Sequence, residues 1–316
     1  MSKKTLYLLG ILLTIIIGMY FYWRCCCNGA YNSAVVDDDS IEQTSFDSAP
    51  TLTETQTPTN NGFALNDADG DFNFTANDNF NFDPSSFTIR KPISAQLDGG
   101  INQLKAYLDG NATKSVDITG LYGSDEENAS AYPNLGLARA NAVKNYFSEK
   151  GISSSRMNTL GKQWDDWIPE NNIYKGPITF GVSTADDNSN ATEEAEIKAL
   201  GDQIRANPLV LHFASGSNSI NLTPEQRQKV ADISKYLDKV EGANVSVVGH
   251  TDNTSSRVTN TRLGLERAVF AKNYLVNNGI PESKINTASK GPDEPVASND
   301  TEEGRTQNRR TVVTIN

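Results

Sequence analysis

Residues 135–147 read Leu-Gly-Leu-Ala-Arg-Ala-Asn-Ala-Val-Lys-Asn-Tyr-Phe, and residues 263–275 read Leu-Gly-Leu-Glu-Arg-Ala-Val-Phe-Ala-Lys-Asn-Tyr-Leu. Most positions agree at a spacing of 128 residues, and the register continues outside the stretch. Gly151-Ile152 answers Gly279-Ile280, and Asn158-Thr159 answers Asn286-Thr287. Upstream, Val116-Asp-Ile-Thr-Gly120 answers Val245-Ser-Val-Val-Gly249 after a one-residue gap. Agreement of this extent indicates an internal duplication. Each stretch reads as an amphipathic helix. In the second, Leu263, Ala268, Ala271, Tyr274 and Leu275 define the face expected against a sheet.

Working outward, both copies read alike. An opening apolar run (Phe87 to Ile89; Leu209 to Phe213) predicts a strand, and a helix follows at about 96–109 and about 223–240. Then come a β-rich run (115–120; 245–249), a polar loop and the repeated helix. A Gly-Ile exit leads to a strand near 156–160 or 284–288, and Ile178 to Val182 and Thr311 to Ile315 predict a last strand. Strands alternating with helices indicate an α+β fold, with helices packed on a mixed β-sheet. A run rich in Asp, Asn and Ser, Ser183 to Thr192, is expected to separate the two domains, taken as 86–185 and 196–316.

The second copy carries the chemistry. It reads Gly249-His250-Thr251-Asp252, then Asn260-Thr-Arg-Leu263-Gly264-Leu-Glu-Arg267-Ala268, and ends with Glu303-Gly304-Arg305 and Asn308-Arg309-Arg310 before the last strand. In this order the elements resemble the peptidoglycan-binding domain of the OmpA family, the OmpA/Pal/MotB-like domains. The resemblance is strong over about 196–316 and degenerate over about 86–183.

It implies that Asp252 and Arg267, fifteen residues apart, hold the wall peptide. Diaminopimelate in a stem peptide presents an ammonium and a carboxylate on one short side chain. A fixed carboxylate suits the first and a guanidinium fork the second. The resemblance also implies that Thr251, Asn260 and the backbone near Ala214 and Ser215 frame the pocket. His250 reads as a packed or hydrogen-bonded turn residue, and Arg309 and Arg310 as residues that stabilise the domain.

The first copy departs from this pattern. Gly120-Leu-Tyr-Gly123 stands where Gly249-His-Thr-Asp252 stands, so the Asp position holds Gly123. Ala131 replaces Asn260. Arg139 survives, but no Asn-Arg-Arg follows. Asp125 lies two residues beyond the Asp position and substitutes only if the loop differs. The first copy is therefore expected not to bind diaminopimelate and to act as a spacer or a protein-docking surface for another envelope protein.

The first 27 residues read as an anchor. Lys3 and Lys4 precede an uncharged stretch from Thr5 to Trp23, which is close to the ~20 residues a helix needs to cross a bilayer. It ends in Tyr20, Phe21, Tyr22, Trp23 and Arg24, an interfacial belt rather than a cleavage site. The basic flank places the rest of the chain outside the cytoplasm, and a single apolar helix suits an inner membrane, with outer-membrane association as the alternative. Cys25, Cys26 and Cys27 are adjacent and read as an interfacial apolar patch, with lipidation or an intermolecular disulfide as alternatives.

The chain of 316 residues holds 28 Lys plus Arg and 39 Asp plus Glu, a net charge of −11. Residues 28–85 contain eleven acidic residues and no basic one, so the whole excess equals that of this segment. With few aliphatic residues it reads as a disordered, acidic linker. Asp67, Asp69 and Asp71 resemble the start of a calcium loop, but no closing Glu follows. The acidity disfavours nucleic acid. Two His and three Cys argue against a metal or disulfide scaffold, no cofactor motif is present, and no hydrolytic constellation stands out.

The resulting expectation is a non-enzymatic envelope protein that binds peptidoglycan and tethers a membrane to the cell wall. The alternative is a wall-anchoring subunit of a motor stator or secretion machine. Thr5 to Trp23 lacks the ionisable residue that a proton-driven stator helix needs.

Overall fold

The computed structural model describes residues 59–70, 72–185, 187–212 and 221–316; at 187–190 the description is limited to the helical backbone. The expected anchor 1–27, residues 28–58 of the acidic segment, and Ser215 lie outside the described residues. Among those described, no helix is long and apolar enough to cross a membrane.

In the first copy, β1 (Phe63–Asn66) and β2 (Asn73–Ala76) form a hairpin. They precede α1 (Ala95–Gly110), β3 (Lys114–Tyr122), α2 (Leu135–Glu149), β4 (Met157–Gln163) and β5 (Ile178–Thr184). The sheet order is β4-β3-β5, with β3 parallel to β4 and antiparallel to β5. The second copy comprises α3 (Asp187–Ala206), β6 (Leu209–His212), α4 (Pro224–Lys239), β7 (Val245–His250), α5 (Arg257–Asn277), β8 (Ile285–Gly291), α6 (Glu302–Asn308) and β9 (Arg310–Ile315). Its sheet order is β6-β9-β7-β8, again with one parallel pair, β7 with β8.

Local chemistry accounts for the helix ends. Asn134 and Ser256 cap α2 and α5 through side-chain acceptors for Leu137 N and Thr259 N. Thr223 and Gln226 form a capping box on α4, with Pro224 in its first turn. The Gly-Ile exits are helix stops. Gly151 and Gly279 take φ of +90° and +92°, and Ile152 N and Ile280 N bond back to Phe147 O and Leu275 O at 3.1 Å.

Three expectations are corrected. Residues 59–70 and 72–85 are folded rather than a linker. Their Phe63, Leu65, Phe72, Phe80 and Phe82 are buried in the first core with Leu97, Ile101, Ile118 and Phe147. Phe alternating with Asn or Ala, which reads as low aliphatic content, is a strand period with one apolar face. Asp67 is buried too, held by Lys114 at 2.8 Å and by Tyr107, so one of the charges that argued for disorder is neutralised within the fold. Those bonds, Lys114 first and Tyr107 second, hold its carboxyl below the ordinary value, and an ammonium occupies the suggested calcium ligand.

The second correction concerns Phe87 to Ile89, which form no strand. Three β-prone residues boxed by Pro84 and Pro92 are too short a run to form a ladder. The hairpin occupies that side of the sheet instead, with Phe63 4.4 Å from Phe180 and Asn61 Nδ2 donating to Ile178 O at 3.3 Å.

Third, the expected break at Ser183 to Thr192 mostly opens α3, because acidic residues at a helix N-terminus complement its dipole. Ile197 and Ile204 of α3 enter the second core.

Both copies belong to one compact unit and dock on each other. Lys144 of α2 is buried against Asp238 of α4. Ala131 N donates to Asn278 Oδ1 at 2.7 Å, Asn145 Nδ2 to Gly279 O at 2.8 Å and Tyr132 OH to Ser234 Oγ at 3.2 Å. Ala131, in the place of Asn260, is part of the second copy's apolar cluster.

Candidate functional site

The site begins with two glycines. A Cβ on Gly249 of β7 would lie 1.8 Å from Gly264 O of α5, so strand and helix touch through their backbones. This contact brings Arg267, one turn on, under the end of β7, where its Nη1 donates to His250 O at 3.2 Å. The first copy repeats the arrangement. A Cβ on Gly120 would lie 2.0 Å from Gly136 O, and Arg139 Nη1 donates to Leu121 O at 2.9 Å. The Leu-Gly-Leu sequence is thus a requirement for helix–strand approach.

The chain leaves β7 into a tied turn. Thr251 N donates to Gly291 O at 2.8 Å, and Thr251 Oγ1 to Asp252 O at 2.8 Å. Asn260 Nδ2 donates to Asp252 O at 3.0 Å and to Ser255 O at 3.1 Å. Thr251 and Asn260 are buried, so they support the turn backbone from beneath.

The Asp252 side chain is held at both oxygens. Oδ1 accepts from Thr254 N at 3.2 Å and Thr254 Oγ1 at 2.6 Å, while Oδ2 pairs with Arg309 Nη1 at 2.9 Å. Burial raises its pKa, but the bonds from Thr254 and Arg309 outweigh that and hold the carboxyl below its ordinary value. Arg309 is itself held by Glu302 at 2.7 Å and Thr306 at 2.6 Å. Its ties to Asp252, Glu302 and Thr306 fit the stabilising role expected of it and place that role at the turn.

Each residue of Asn-Arg-Arg has a separate task. Asn308 ties the 296–299 loop through four hydrogen bonds, to Val296, Ala297 and Asn299. Arg309 meets Asp252, and Arg310 donates to Glu294 O at 3.1 Å.

Asp252 thus pairs with Arg309, not with Arg267. Burial lowers the Arg267 pKa, and the nearby Asp252 charge acts against that. Among the described residues, the bond to His250 O is the hydrogen bond its guanidinium makes. His250 is buried as expected. Its pKa is pushed down to about 4, first by desolvation and then by Arg310.

In the first copy the corresponding fork is full. Arg139 is completely buried and grips Glu126 through two bonds of 2.5 and 2.9 Å. It lies between the rings of Phe82 and Tyr174, with its Cζ 5.3 and 5.2 Å from their centroids, and Nε donates to Ser86 O at 3.0 Å. Glu126 also accepts from Gly123 N and Ser85 N. Asp125, the residue considered from sequence, is exposed; Glu126, one residue on, enters the site.

The family model described as "OmpA family" matches residues 81–173 and 213–309. The chain belongs to the OmpA family. The outer membrane protein Omp38 of Acinetobacter baumannii is 37% identical over 100 residues, covering 31% of this chain and 28% of Omp38. The peptidoglycan-binding protein ArfA of Mycobacterium tuberculosis is 31% identical over 122 residues, covering 39% of this chain and 36% of ArfA. The chain therefore spans about a third of the length of these relatives. Among solved structures, the cell wall anchor of the T6SS from Pseudomonas aeruginosa matches at 28% identity and a TM-score of 0.28, covering 38% of this chain and 93% of that one. The OmpA family resemblance read from the repeated motifs is thus established, over both copies.

Proposed function

We propose that the second copy binds peptidoglycan by gripping the diaminopimelate of a stem peptide between Asp252 and Arg267, and that the chain tethers a membrane to the cell wall without catalysing a reaction. The observation that carries this reading is the contrast between the two arginines. Arg139 and Arg267 hang from the same strand-end carbonyl. In the first copy an internal carboxylate fills the fork; in the second, among the described residues, none does. A ligand carboxylate takes the place of Glu126, and its ammonium meets Asp252 across the gap. Thr251 and Asn260 hold the turn, and Ser215 belongs to the loop expected to close the pocket.

The apolar stretch 5–23 serves as the anchor, with the folded part outside the cytoplasm and the anchor in an inner membrane. The first copy, its fork occupied, does not contribute to wall binding.

The test is co-sedimentation of the detergent-solubilised full chain with purified peptidoglycan, beside Asp252→Ala and Arg267→Ala. Both variants are expected to remain in the supernatant. Unchanged pelleting of both would sink the proposed site, and recovery of the chain with the outer membrane on fractionation would overturn the placement of the anchor.

A further inference from the structure

The contact between the copies is head-to-tail, so each copy carries a version of both of its faces. The presenting face is on α2 and includes Leu137, Asn141, Lys144 and Asn145. The accepting face is on α4 and the end of α5, where Asp238 and Gly279 receive Lys144 and Asn145.

Moved by the repeat register of 128, the presenting face becomes Leu265, Val269, Lys272 and Asn273 on α5. Lys144 is buried against Asp238 of the other copy, and Leu137 and Asn141 line the cavity between the copies, whereas Leu265 and Val269 stand 43% and 40% exposed, and Val258, earlier on the same helix, 81% exposed. This helix face places apolar side chains in water where its counterpart faces the other copy.

The accepting face also has its counterpart. The caps Thr223 of α4 and Ser94 of α1 align at a spacing of 129, which carries Asp238 onto Asp109. Gly279 corresponds to Gly151, with nearly the same positive φ. Lys144–Asp238 and Asn145–Gly279 therefore recur as Lys272–Asp109 and Asn273–Gly151. Within one chain Lys272, its side chain 22% exposed, pairs instead with Glu282, 69% exposed, and Asp109 with Lys105 one turn away. Pairs whose carboxylate is this exposed are weak and exchange readily. Facing Leu265 and Val269 would be Gly99, Asn102 and Ala106 of α1; a Cβ on Gly99 would meet nothing.

We propose that the exposed α5 face of one molecule docks on the α1 face and α2 end of a second copy of this chain, extending the internal contact between molecules. The partner is identified by continuity with that contact: the residues of both polar pairs are present at the matching positions, and the exposed apolar row is buried by forming them. Because the two surfaces differ, the association is heterologous and does not end at a dimer unless a ring closes.

The test is sedimentation velocity of the full chain in mild detergent over a range of concentrations, with Lys272→Asp, Asp109→Lys and the two together. Oligomers that grow with concentration are expected. Each single reversal should weaken association roughly tenfold, and the double reversal should restore it. In a mixture of ¹⁴N- and ¹⁵N-labelled chains, carbodiimide should join Lys272 of one isotope to Asp109 of the other. A monomer at every concentration, or association indifferent to both reversals, would overturn the proposal. No wall material is present, so the outcome is independent of peptidoglycan binding.

Discussion

Arg309 reaches across 57 residues of sequence to pair with Asp252 at 2.9 Å, and the same guanidinium is braced by Glu302. The carboxylate proposed to meet the ligand is thus pre-aimed and partly neutralised before any ligand arrives. Its pair with Arg309 is mostly sheltered from water, so it is more than a surface ion pair.

Removing Arg309 should therefore change the acid limit of binding. Bonds from Thr254 and Arg309 hold the Asp252 carboxyl below its ordinary value despite its burial. A carboxylate depressed in the folded state contributes stability above its ordinary value, lost as pH falls through the depressed one. With Arg309→Ala the Asp252 pKa rises, so binding to peptidoglycan should fail at a higher pH than in the wild type. The variant should also lose about 1–3 kcal/mol of stability. Pelleting measured between pH 3 and 6 checks the first point; an unshifted acid limit would show that Arg309 does not tune Asp252.

In the first copy, Glu126 and Arg139 are both almost wholly buried. Glu126→Ala leaves a guanidinium in the core with two ring neighbours and no counter-charge, which should cost about 3–5 kcal/mol. Replacing both partners by apolar residues, Glu126→Leu with Arg139→Met, should recover much of that loss. Neither variant should alter wall binding at the second copy. Urea unfolding together with pelleting separates the two effects, and equal loss of pelleting in Glu126→Ala would assign the first copy a direct role.

What could be read from sequence was local in origin. The helix expected at 96–109 is α1, Ala95–Gly110, because the Ser94 cap and the spacing of Leu97, Ile101, Leu104 and Leu108 lie within the helix itself. Asp252 and Arg267 are proposed from the resemblance of the ordered motifs, which lie at the end of β7 and on α5, close in sequence. Two of the misses concern partners that only the fold brings together. Lys114 neutralises Asp67 from 47 residues away, and Arg139 captures Glu126 through a loop conformation that composition does not encode. The Phe and Asn alternation at 63–82 is a local strand signal that the net charge of residues 28–85 masks.

That masking has a consequence for the boundary of the first domain. A fragment starting at residue 86 lacks Phe63, Leu65, Phe72, Phe80 and Phe82, all buried in its core. Residues 86–185 alone should be unfolded by circular dichroism, whereas a chain starting at residue 59 should melt cooperatively. Within the full chain, Phe80→Ala should cost about 3–5 kcal/mol, since Phe80 is fully buried against Tyr146 and Phe147. A loss under 1 kcal/mol would mean that the segment lies on the domain without supporting it.

His250 should set the acid stability of the second copy. It is buried, its Nδ1 has no partner among the described residues, and Arg310 opposes its protonation. Its pKa falls from 6.5 to about 4 on folding. Between those values the unfolded chain holds the extra proton, so stability falls as pH drops from 6.5 towards 4. By pH 4.5 the loss should reach about 2–3 kcal/mol. His250→Gln removes the titrating ring but keeps the backbone carbonyl that receives Arg267. Unfolding free energies at pH 7 and 4.5 should then differ by about 2–3 kcal/mol less in the variant than in the wild type. The same difference in both proteins would place the acid sensitivity in the carboxylates instead.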